Sequence, residues 1–510
     1  MSATENVPFP LGEAGPPEAR ARQGEASRKD PVRVDAARYR LREFHSFEAA
    51  GSRFVYLVPS GAIFALDKVG NDIIDRIESP AGPTGEDLVG FLIDRGYQPS
   101  EIDAALMELE HSEVIILGDF IPPKPAVPVK RFPLQRIVLN ITNQCNLACT
   151  YCYEYSPDKI SKIEGKPKYM TSSIAEASID MLIKESGDRP AIHVTFFGGE
   201  TLLNFPMLRS SVDYAKRKCS EAGKHVEFSL TTNATLLTEQ VVDFLAEHKV
   251  GITVSIDGDR ELNDKMRVFS DGRGSYDVIV PRIKMLLERH KTNSIGARVT
   301  LTSGVHHVRR IYEHLTQDVG FAAVGFSPAT ANPNRLYSIG EPIMGTVLEG
   351  FEDLAWEYRD WAIAGRHHGF TNVNDTLKDL HSGISKAYPC GAGLGLLGVG
   401  TAGDVNLCHR FVDSDVGQMG HVQKGGVNHQ ARDQFLNTHH IGARYDCHTC
   451  WARPVCAGGC YHEAFIHYGD TSAATLHYCD WIRGWNDLCL RIYGEISMRN
   501  PSFLDRFTEN

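Results

Sequence analysis

Strand-like and helix-like segments alternate from residue 134 to about 340, and this order restricts the fold more than any other feature of the chain. Six short runs rich in β-branched and aromatic residues are predicted strands: RIVLNIT, IHVTFFGG, VEFSLTTN, GITVSID, IGARVTLT and AAVGFSPA. Segments with helical periodicity lie between them, such as SSIAEASIDMLIKES and TEQVVDFLAEHK. Six βα units in series predict an α/β fold with a parallel sheet, curved or open, and helices outside it.

Unusual polar residues follow these predicted strands. Three cysteines come after the first strand, a Gly-Gly-Glu sequence after the second, an asparagine after the third, and a serine and an aspartate after the fourth. In chain order these residues are Cys145, Cys149, Cys152, Gly198, Gly199, Glu200, Asn233, Ser255 and Asp257. In parallel sheets the chemistry lies at the carboxyl ends of the strands, so we expect these residues to meet on one face.

The regions on either side of the α/β unit differ from it in composition. Residues 1–40 are rich in Pro, Gly, Ala and charge and have no apolar core like that of a signal peptide, which predicts a disordered leader. Residues 41–122 are predicted to form a small α+β module, with a hairpin at FVYLVPSGAIFAL, three helices and a closing strand. After a proline-rich linker the α/β unit occupies residues 123–345. Residues 346–510 form a last, loop-rich region with eight of the twelve cysteines.

Composition excludes several classes of function. The net charge is −11 and no long basic run occurs, which argues against nucleic acid as the main partner. The order of elements in residues 41–122 is also that of a winged helix, but its helices carry no cluster of Lys and Arg. The longest apolar runs are strand-sized, which predicts a cytoplasmic protein with no membrane span. In a reducing compartment, clustered cysteines indicate metal or redox chemistry rather than disulfides.

The cysteine spacing CxxxCxxC at Cys145, Cys149 and Cys152 supplies three thiols within eight positions. A structural zinc site wants four tetrahedral ligands, so zinc is the weaker interpretation. Three thiolates can instead hold three irons of a cubane iron–sulfur cluster and leave the fourth iron open to a ligand.

At these residues the chain resembles the radical S-adenosylmethionine (SAM) enzymes, whose signature CxxxCx(aromatic)C is matched with Tyr151 as the aromatic residue. The resemblance implies a partial (βα)6 barrel, in which a [4Fe–4S] cluster on the three cysteines binds SAM and cleaves it to a 5′-deoxyadenosyl radical. It also implies the residues that bind SAM: Tyr151, Gly198, Gly199, Glu200, Asn233, Ser255, Asp257 and Arg298. Within this set, Glu200 would hold the amino group of the methionine moiety and Arg298 its carboxylate.

The cysteines near the C-terminus have their own spacing, in which Cys390 and Cys408 precede Cys447-x2-Cys450-x5-Cys456-x3-Cys460 and then Cys479. The CxxC half alone would suggest a zinc ribbon. The seven together resemble the SPASM extension of radical SAM enzymes, which holds two auxiliary [4Fe–4S] clusters and brings the total to three. The resemblance assigns Cys447, Cys450, Cys456 and Cys479 to one cluster, and Cys390, Cys408 and Cys460 to the other. The fourth position of the second set is either open to substrate or filled by Cys489 or a non-cysteine group.

Residues 41–122 resemble the PqqD-like winged-helix domain that recognises leader peptides in maturases of ribosomal peptides. The chain past residue 40 most resembles the maturation proteins of quinohemoprotein amine dehydrogenase. That resemblance implies a substrate that is a ribosomal peptide or small protein subunit with a leader, thioether crosslinks from Cys to Asp or Glu, and a reductant such as flavodoxin or ferredoxin. Alternatives are another thioether peptide, formylglycine formation, a carbon–carbon crosslink or epimerisation. A zinc-bound winged-helix regulator is a remote alternative.

Overall fold

The computed structural model describes residues 37–79, 82–118 and 132–508. The predicted leader, except for residues 37–40, and most of the proline-rich linker lie outside these ranges. Every helix in the described part of the chain is too short or too polar to span a bilayer.

The N-terminal module has eight elements in the order β-β-β-β-α-α-α-β. Its strands are β1 Tyr39–Leu41, β2 Phe44–Ala49, β3 Ser52–Leu57, β4 Ile63–Ala65 and β5 Ile115–Leu117, and its helices are α1 Lys68–Ile77, α2 Gly85–Asp94 and α3 Pro99–His111. Strands β2, β3 and β4 form an antiparallel sheet, and β1 pairs with β5. The structured module therefore begins before the boundary predicted at residue 41. Side chains such as Val55, Ile73 and Leu88 give it an apolar core of its own.

Local sequence signals explain where the helices of this module begin. The side chain of Asp67 accepts a hydrogen bond from the amide of Gly70 at 2.7 Å, which caps α1. Thr84 and Asp87 form a capping box at the start of α2. These caps satisfy backbone N–H groups that have no partner within the helix, and so they define the helix starts.

The central unit alternates strands and helices as predicted. Its strands are β6 Arg136–Thr142, β7 Ala191–Gly198, β8 His225–Thr232, β9 Gly251–Ser255, β10 Ile295–Leu301 and β11 Val324–Pro328. Its helices are α4 Ser172–Glu185, α5 Phe205–Glu221, α6 Glu239–Glu247, α7 Arg260–Met266, α8 Tyr276–Arg289 and α9 Val308–Glu313. The six strands are parallel and lie side by side in chain order, which confirms the α/β prediction.

The C-terminal region extends this sheet, which the sequence did not predict. Its helices are α10 Glu341–Ile363, α11 Thr371–His381, α12 His429–His439, α13 Arg453–Cys456, α14 Tyr461–Tyr468 and α15 Cys479–Arg499. Its strands are β12 Leu396–Val399, β13 Asp404–Asn406, β14 Gln418–His421 and β15 Gly426–Val427. Strand β12 pairs in parallel with β6, and β13 to β15 follow in antiparallel order. The result is a mixed sheet of ten strands that ties the C-terminal region to the barrel.

The N-terminal module packs against the C-terminal region. The carboxylate of Glu43 forms a two-pronged ion pair with the guanidinium of Arg453, at 2.5 Å for each contact. The ring of His45 stacks on Trp451 with centroids 3.7 Å apart. The amide of Ala50 donates to a carboxylate oxygen of Glu495 at 2.7 Å. These contacts bring the module close to the C-terminal cysteines.

Candidate functional site

The loop that carries the first three cysteines follows β6 and is held by the end of α7 and the residues just after it. The amide of Ala148 donates to the carbonyl of Val268 at 2.7 Å, and the amide of Thr150 donates to the carbonyl of Met266 at 3.1 Å. The loop therefore keeps its shape through backbone hydrogen bonds to a segment more than 100 residues further along the chain.

Two glycines at the end of β7 allow this loop to lie against the sheet. A Cβ atom on Gly198, whose φ is +139°, would lie 2.2 Å from the carbonyl oxygen of Thr142. A Cβ atom on Gly199 would lie 2.3 Å from the carbonyl oxygen of Gln144. At these positions a side chain would displace the backbone of the cysteine loop, so glycine is required for the close approach.

The thiols of Cys145, Cys149 and Cys152 lie together at the carboxyl end of β6, close enough for a charge on one to raise the pKa of another. Burial raises the pKa of Cys145 and of Cys152 to about 12. The side-chain amide of Asn233 lies 3.8 Å from the sulfur of Cys145, and the guanidinium of Arg267 lies 4.0 Å from the sulfur of Cys149. Metal binding would have to displace the thiol protons, and donors directed at the sulfurs would stabilise the resulting thiolates. This donor set fits a cluster with three protein ligands.

Glu200 is buried behind the cysteine loop, with 1% of its surface exposed. Its carboxylate accepts hydrogen bonds from the amide of Asn233 at 2.7 Å, the hydroxyl of Thr232 at 2.7 Å and the amide of Leu202 at 3.0 Å. Burial raises its pKa, and these donors oppose that rise. A carboxylate offers about four acceptor positions, and these three donors occupy three of them.

Asp257 and Tyr151 were both predicted to contact SAM, but in the structure they contact each other. The hydroxyl of Tyr151 donates to Asp257 at 2.5 Å, the Nε of Arg267 donates to the same oxygen at 3.0 Å, and the amide of Thr300 donates to the other oxygen at 2.9 Å. The side chain of Asp257 is fully buried. The carboxylate of Asp257 therefore holds the cysteine loop, and its contact with SAM stays a prediction.

Ser255 and Arg298 lie opposite each other on neighbouring parallel strands. Arg298 lines a cavity inside the barrel, together with Asp375 of α11. Burial raises the pKa of Asp375 to about 7, and the nearby Arg298 opposes that rise. The structure therefore places Arg298 beside an acidic group that the sequence did not identify.

Two further residues near the cysteine loop were missed. Burial raises the pKa of Glu154, two positions after Cys152, to about 7. The side-chain oxygen of Asn140 in β6 is buried without a hydrogen-bond partner among the described residues. A buried polar atom without a partner is rare and indicates that a ligand or water satisfies it.

Four of the C-terminal thiols form one group. Burial raises the pKa of Cys447 to about 11, and negative charges on Cys456, Cys450 and Cys479 contribute to the rise. Three of the thiols come from the 3-10 turn Tyr445–Cys447, the end of α13 and the start of α15, and Cys450 lies between that turn and α13. The donor set is that of a four-cysteine metal or cluster site.

The other three, Cys390, Cys408 and Cys460, form a second group. Burial raises the pKa of Cys390 to about 12 and that of Cys408 still further. A negative charge on Cys460 would raise both pKa values as well, so the three thiols lie close together. All three line a cavity of about 520 Å³ that extends into the barrel, where Arg298, Thr253 and Asp375 also face it. The hydroxyl of Thr253 has no hydrogen-bond partner among the described residues. The second cysteine group therefore shares one chamber with the interior of the barrel.

Cys219 and Cys489 lie outside all three cysteine groups. Cys219 is buried in α5, in the apolar core. Cys489 is buried in α15, where its thiol lies against the hydroxyl of Thr376. The structure therefore does not support Cys489 as the fourth ligand of the second group.

Comparison with known proteins finds relatives of the central α/β unit. Residues 139–342 match the family model of the Radical SAM superfamily, and the match includes the loop with Cys145, Cys149 and Cys152. The chain carries a radical SAM domain. The fold of native anSMEcpe with bound AdoMet superposes on it with a TM-score of 0.58 and 18% sequence identity, over 74% of this chain and all of that one. At this identity the likeness shows the fold.

The radical SAM domain also has relatives among characterised and uncharacterised proteins. The cysteine-type anaerobic sulfatase-maturating enzyme of Clostridium novyi is 24% identical over 339 residues, which cover 64% of this chain and 87% of that enzyme. The uncharacterised protein MJ0907 of Methanocaldococcus jannaschii is 32% identical over 142 residues, which cover 28% of this chain and 45% of that protein. The match to the second relative thus spans less than half of its length.

Proposed function

We propose that this chain is a radical SAM enzyme that modifies a ribosomally made peptide or small protein subunit. The reaction we propose is the formation of Cys-to-Asp and Cys-to-Glu thioether crosslinks in the small subunit of quinohemoprotein amine dehydrogenase. One observation carries the proposal: the chamber of about 520 Å³ connects the barrel interior with three thiols, Cys390, Cys408 and Cys460. A group of three leaves one metal position for a substrate thiolate.

The cysteine groups would hold three [4Fe–4S] clusters. Cys145, Cys149 and Cys152 would hold the cluster that binds SAM, and the groups of three and of four near the C-terminus would hold two auxiliary SPASM clusters. When bound, SAM and its cluster supply a radical that removes hydrogen from carbon, and the auxiliary clusters supply an electron acceptor. A reductant such as flavodoxin or ferredoxin would provide the starting electron. The reaction would take place in the cytoplasm, and nucleic acid would not be a partner.

The chain's own residues position the reactants and handle the proton. The hydrogen bonds of Asp257 hold the cysteine loop. Because Gly198 and Gly199 have no side chain, the loop can lie against the sheet. Glu200 keeps one acceptor position for the amino group of SAM. Asp375 faces the chamber with a pKa raised by burial to about 7, so its carboxylate can accept the proton of a substrate thiol near neutral pH.

A peptide substrate is supported by the relatives and by the N-terminal module. The Clostridium novyi relative is named a sulfatase-maturating enzyme, and anSMEcpe has been solved with a bound Cp18Cys peptide. We propose that residues 41–122 are a PqqD-like domain, with a leader peptide added as a strand at the edge of the β2–β3–β4 sheet. In that mode the backbone hydrogen bonds supply most of the affinity.

Formylglycine formation is the second candidate, because several of the relatives are named sulfatase-maturating enzymes. The mass of the product separates the two reactions. A thioether removes two hydrogens per crosslink and leaves a cysteine that cannot be alkylated. Formylglycine replaces the cysteine sulfur with an aldehyde oxygen and adds no crosslink.

The test is anaerobic co-expression with the small-subunit peptide, followed by intact mass measurement after thiol alkylation. We expect a loss of two hydrogens per crosslink, and fragmentation should locate the bonded carbon on Asp or Glu. Cys460→Ala should abolish the product, whereas Cys219→Ala, outside all three cysteine groups, should not. An unmodified peptide with free thiols, from an enzyme that cleaves SAM, would refute this substrate and reaction.

A further inference from the structure

Three possible metal ligands converge beside the chamber, outside all the cysteine groups. Glu463 and His467 lie one turn apart on α14, and His477 lies in the 3-10 turn Leu476–Tyr478 that precedes α15. The Nε2 atoms of the two histidines lie 3.2 and 3.4 Å from Oε1 of Glu463. One ligand atom from each of the three residues lies within 4.8 Å of the other two.

These side chains already bring the ligand atoms of a metal site together, and rotation of the stacked imidazoles would direct both Nε2 atoms at one ion. Oε1 of Glu463 is buried and interacts with both imidazoles, although neither is well aligned to it, while Oε2 accepts a hydrogen bond from the hydroxyl of Thr330. The side chain of Glu463 is 7% exposed. A buried carboxylate oxygen with two imidazole nitrogens nearby but unaligned is the arrangement that a cation would satisfy.

A second contact fixes one of the histidines. Nδ1 of His477 lies 3.0 Å from the hydroxyl of Tyr468, which also accepts a hydrogen bond from the backbone amide of His477 at 3.3 Å. This contact fixes the position of the His477 ring, with its Nε2 facing Glu463. The rings of His467 and His477 are stacked, 3.7 Å apart and 9° from parallel. Metal-binding histidines commonly use the other ring nitrogen in this way.

We propose that Glu463, His467 and His477 bind one divalent transition-metal ion of the zinc class. Tetrahedral zinc with bonds of about 2.0–2.1 Å has ligand atoms about 3.3 Å apart. The observed separations of 3.2 and 3.4 Å match that edge length. Two imidazoles and one carboxylate leave the fourth position to water. This inference does not depend on the proposed reaction.

Because of its position, an ion at this site would connect two segments that carry cluster cysteines. Cys460 directly precedes α14, and Cys479 directly follows the turn with His477. An ion held by all three residues would fasten α14 to that turn, and so would fix Cys460 of the group of three relative to Cys479 of the group of four. Glu463 and Tyr478 also line the chamber, so the open position of the ion would be near it.

The test is zinc analysis of the anaerobically purified full chain after incubation with Zn²⁺ and desalting. X-ray absorption at the zinc edge separates this site from zinc on cysteines, because Zn–N and Zn–O bonds are about 2.0–2.1 Å and Zn–S bonds about 2.3 Å. We expect about one zinc per chain with only nitrogen and oxygen ligands. The double variant His467→Gln/His477→Gln should lose this zinc while its iron content stays unchanged.

The matched control is His429→Gln, which removes a histidine paired with a carboxylate, that of Glu185, at 3.4 Å but with no third ligand. The control should bind zinc as the unmodified chain does. Absence of nitrogen- and oxygen-bound zinc in the unmodified chain would overturn the proposal, even if the double variant does not fold. Retention of that zinc by the folded double variant would overturn it equally.

Discussion

Replacing Asp257 with asparagine should loosen the cysteine loop, although Asp257 touches none of the cysteines through a hydrogen bond. The Asp257 carboxylate accepts from Tyr151, Arg267 and Thr300, and every one of these is a donor. An asparagine side chain presents one oxygen and one NH₂ group. If the oxygen faces Arg267, the NH₂ faces the amide of Thr300, and if the side chain is flipped, the NH₂ faces Arg267. At least one donor then meets another donor in a buried site.

The magnitude follows from burial. The side chains of Arg267 and Asp257 are 8% and 0% exposed, so the substitution leaves a buried guanidinium without its counter-charge. Breaking a buried ion pair in this way costs about 3–5 kcal/mol. The carbonyls of Met266 and Val268, on either side of Arg267, accept from the amides of Thr150 and Ala148 in the cysteine loop. Opening of that loop should therefore become roughly a hundred to a few thousand times more frequent, at 1.4 kcal/mol per tenfold.

Hydrogen–deuterium exchange measures this directly. In Asp257→Asn we expect faster exchange at the amides of Ala148 and Thr150, by that factor. Asp243→Asn is the control, because it breaks an exposed ion pair with Arg289. The side chains of Arg289 and Asp243 are 38% and 57% exposed. An exposed pair contributes at most about 1 kcal/mol, so exchange in the cysteine loop should not change in the control. If Asp257→Asn leaves exchange unaltered and lowers only the affinity for SAM, the reasoning is refuted and Asp257 contacts the ligand instead.

Three further substitutions test other parts of the site. Gly199→Ala should lower iron content by about one cluster, because its Cβ would lie 2.3 Å from the carbonyl oxygen of Gln144, whereas Gly345→Ala in α10, with open space around it, should keep its iron. Cys489→Ala should retain its iron because the thiol contacts Thr376, and loss of a cluster would contradict that placement. Asp375→Asn should raise the melting temperature relative to the unmodified chain at pH about 8 more than at pH about 5. The pKa of Asp375 is 3.8 ordinarily and about 7 when folded, so the folded chain holds the proton more strongly and loses stability as pH rises between these values. At about 1.4 kcal/mol per pKa unit, the loss is at most about 4 kcal/mol, and a difference that does not grow with pH would contradict the burial of this carboxylate.

Much of the radical SAM domain could be predicted because its signals are local. Each strand has an apolar run of its own, and Cys145, Cys149 and Cys152 follow the first run directly. The parallel order of the strands then brings the end of β7, with Gly198 and Gly199, beside them. At these positions the spacing of the cysteines and the order of strand-like and helix-like segments were enough to predict the arrangement.

The parts that escaped prediction depend on contacts between distant segments. Arg267 lies in a polar stretch after α7, and nothing in the sequence indicates that its guanidinium is buried against Asp257. Strands β12 to β15 have two to four residues each, too short for a period to be recognised. The spacing of Glu463 and His467 is visible in the sequence, but His477 joins them only through the turn before α15.

The central claim is radical SAM chemistry on three clusters, and the most direct measurement combines iron content with the cleavage of SAM. After anaerobic reconstitution and reduction, the unmodified chain should hold about twelve irons and release 5′-deoxyadenosine, since each cluster holds four irons. The triple variant Cys145→Ala/Cys149→Ala/Cys152→Ala should hold about eight irons and release none. A chain that binds zinc in place of iron, or a triple variant that still releases 5′-deoxyadenosine, would contradict the account.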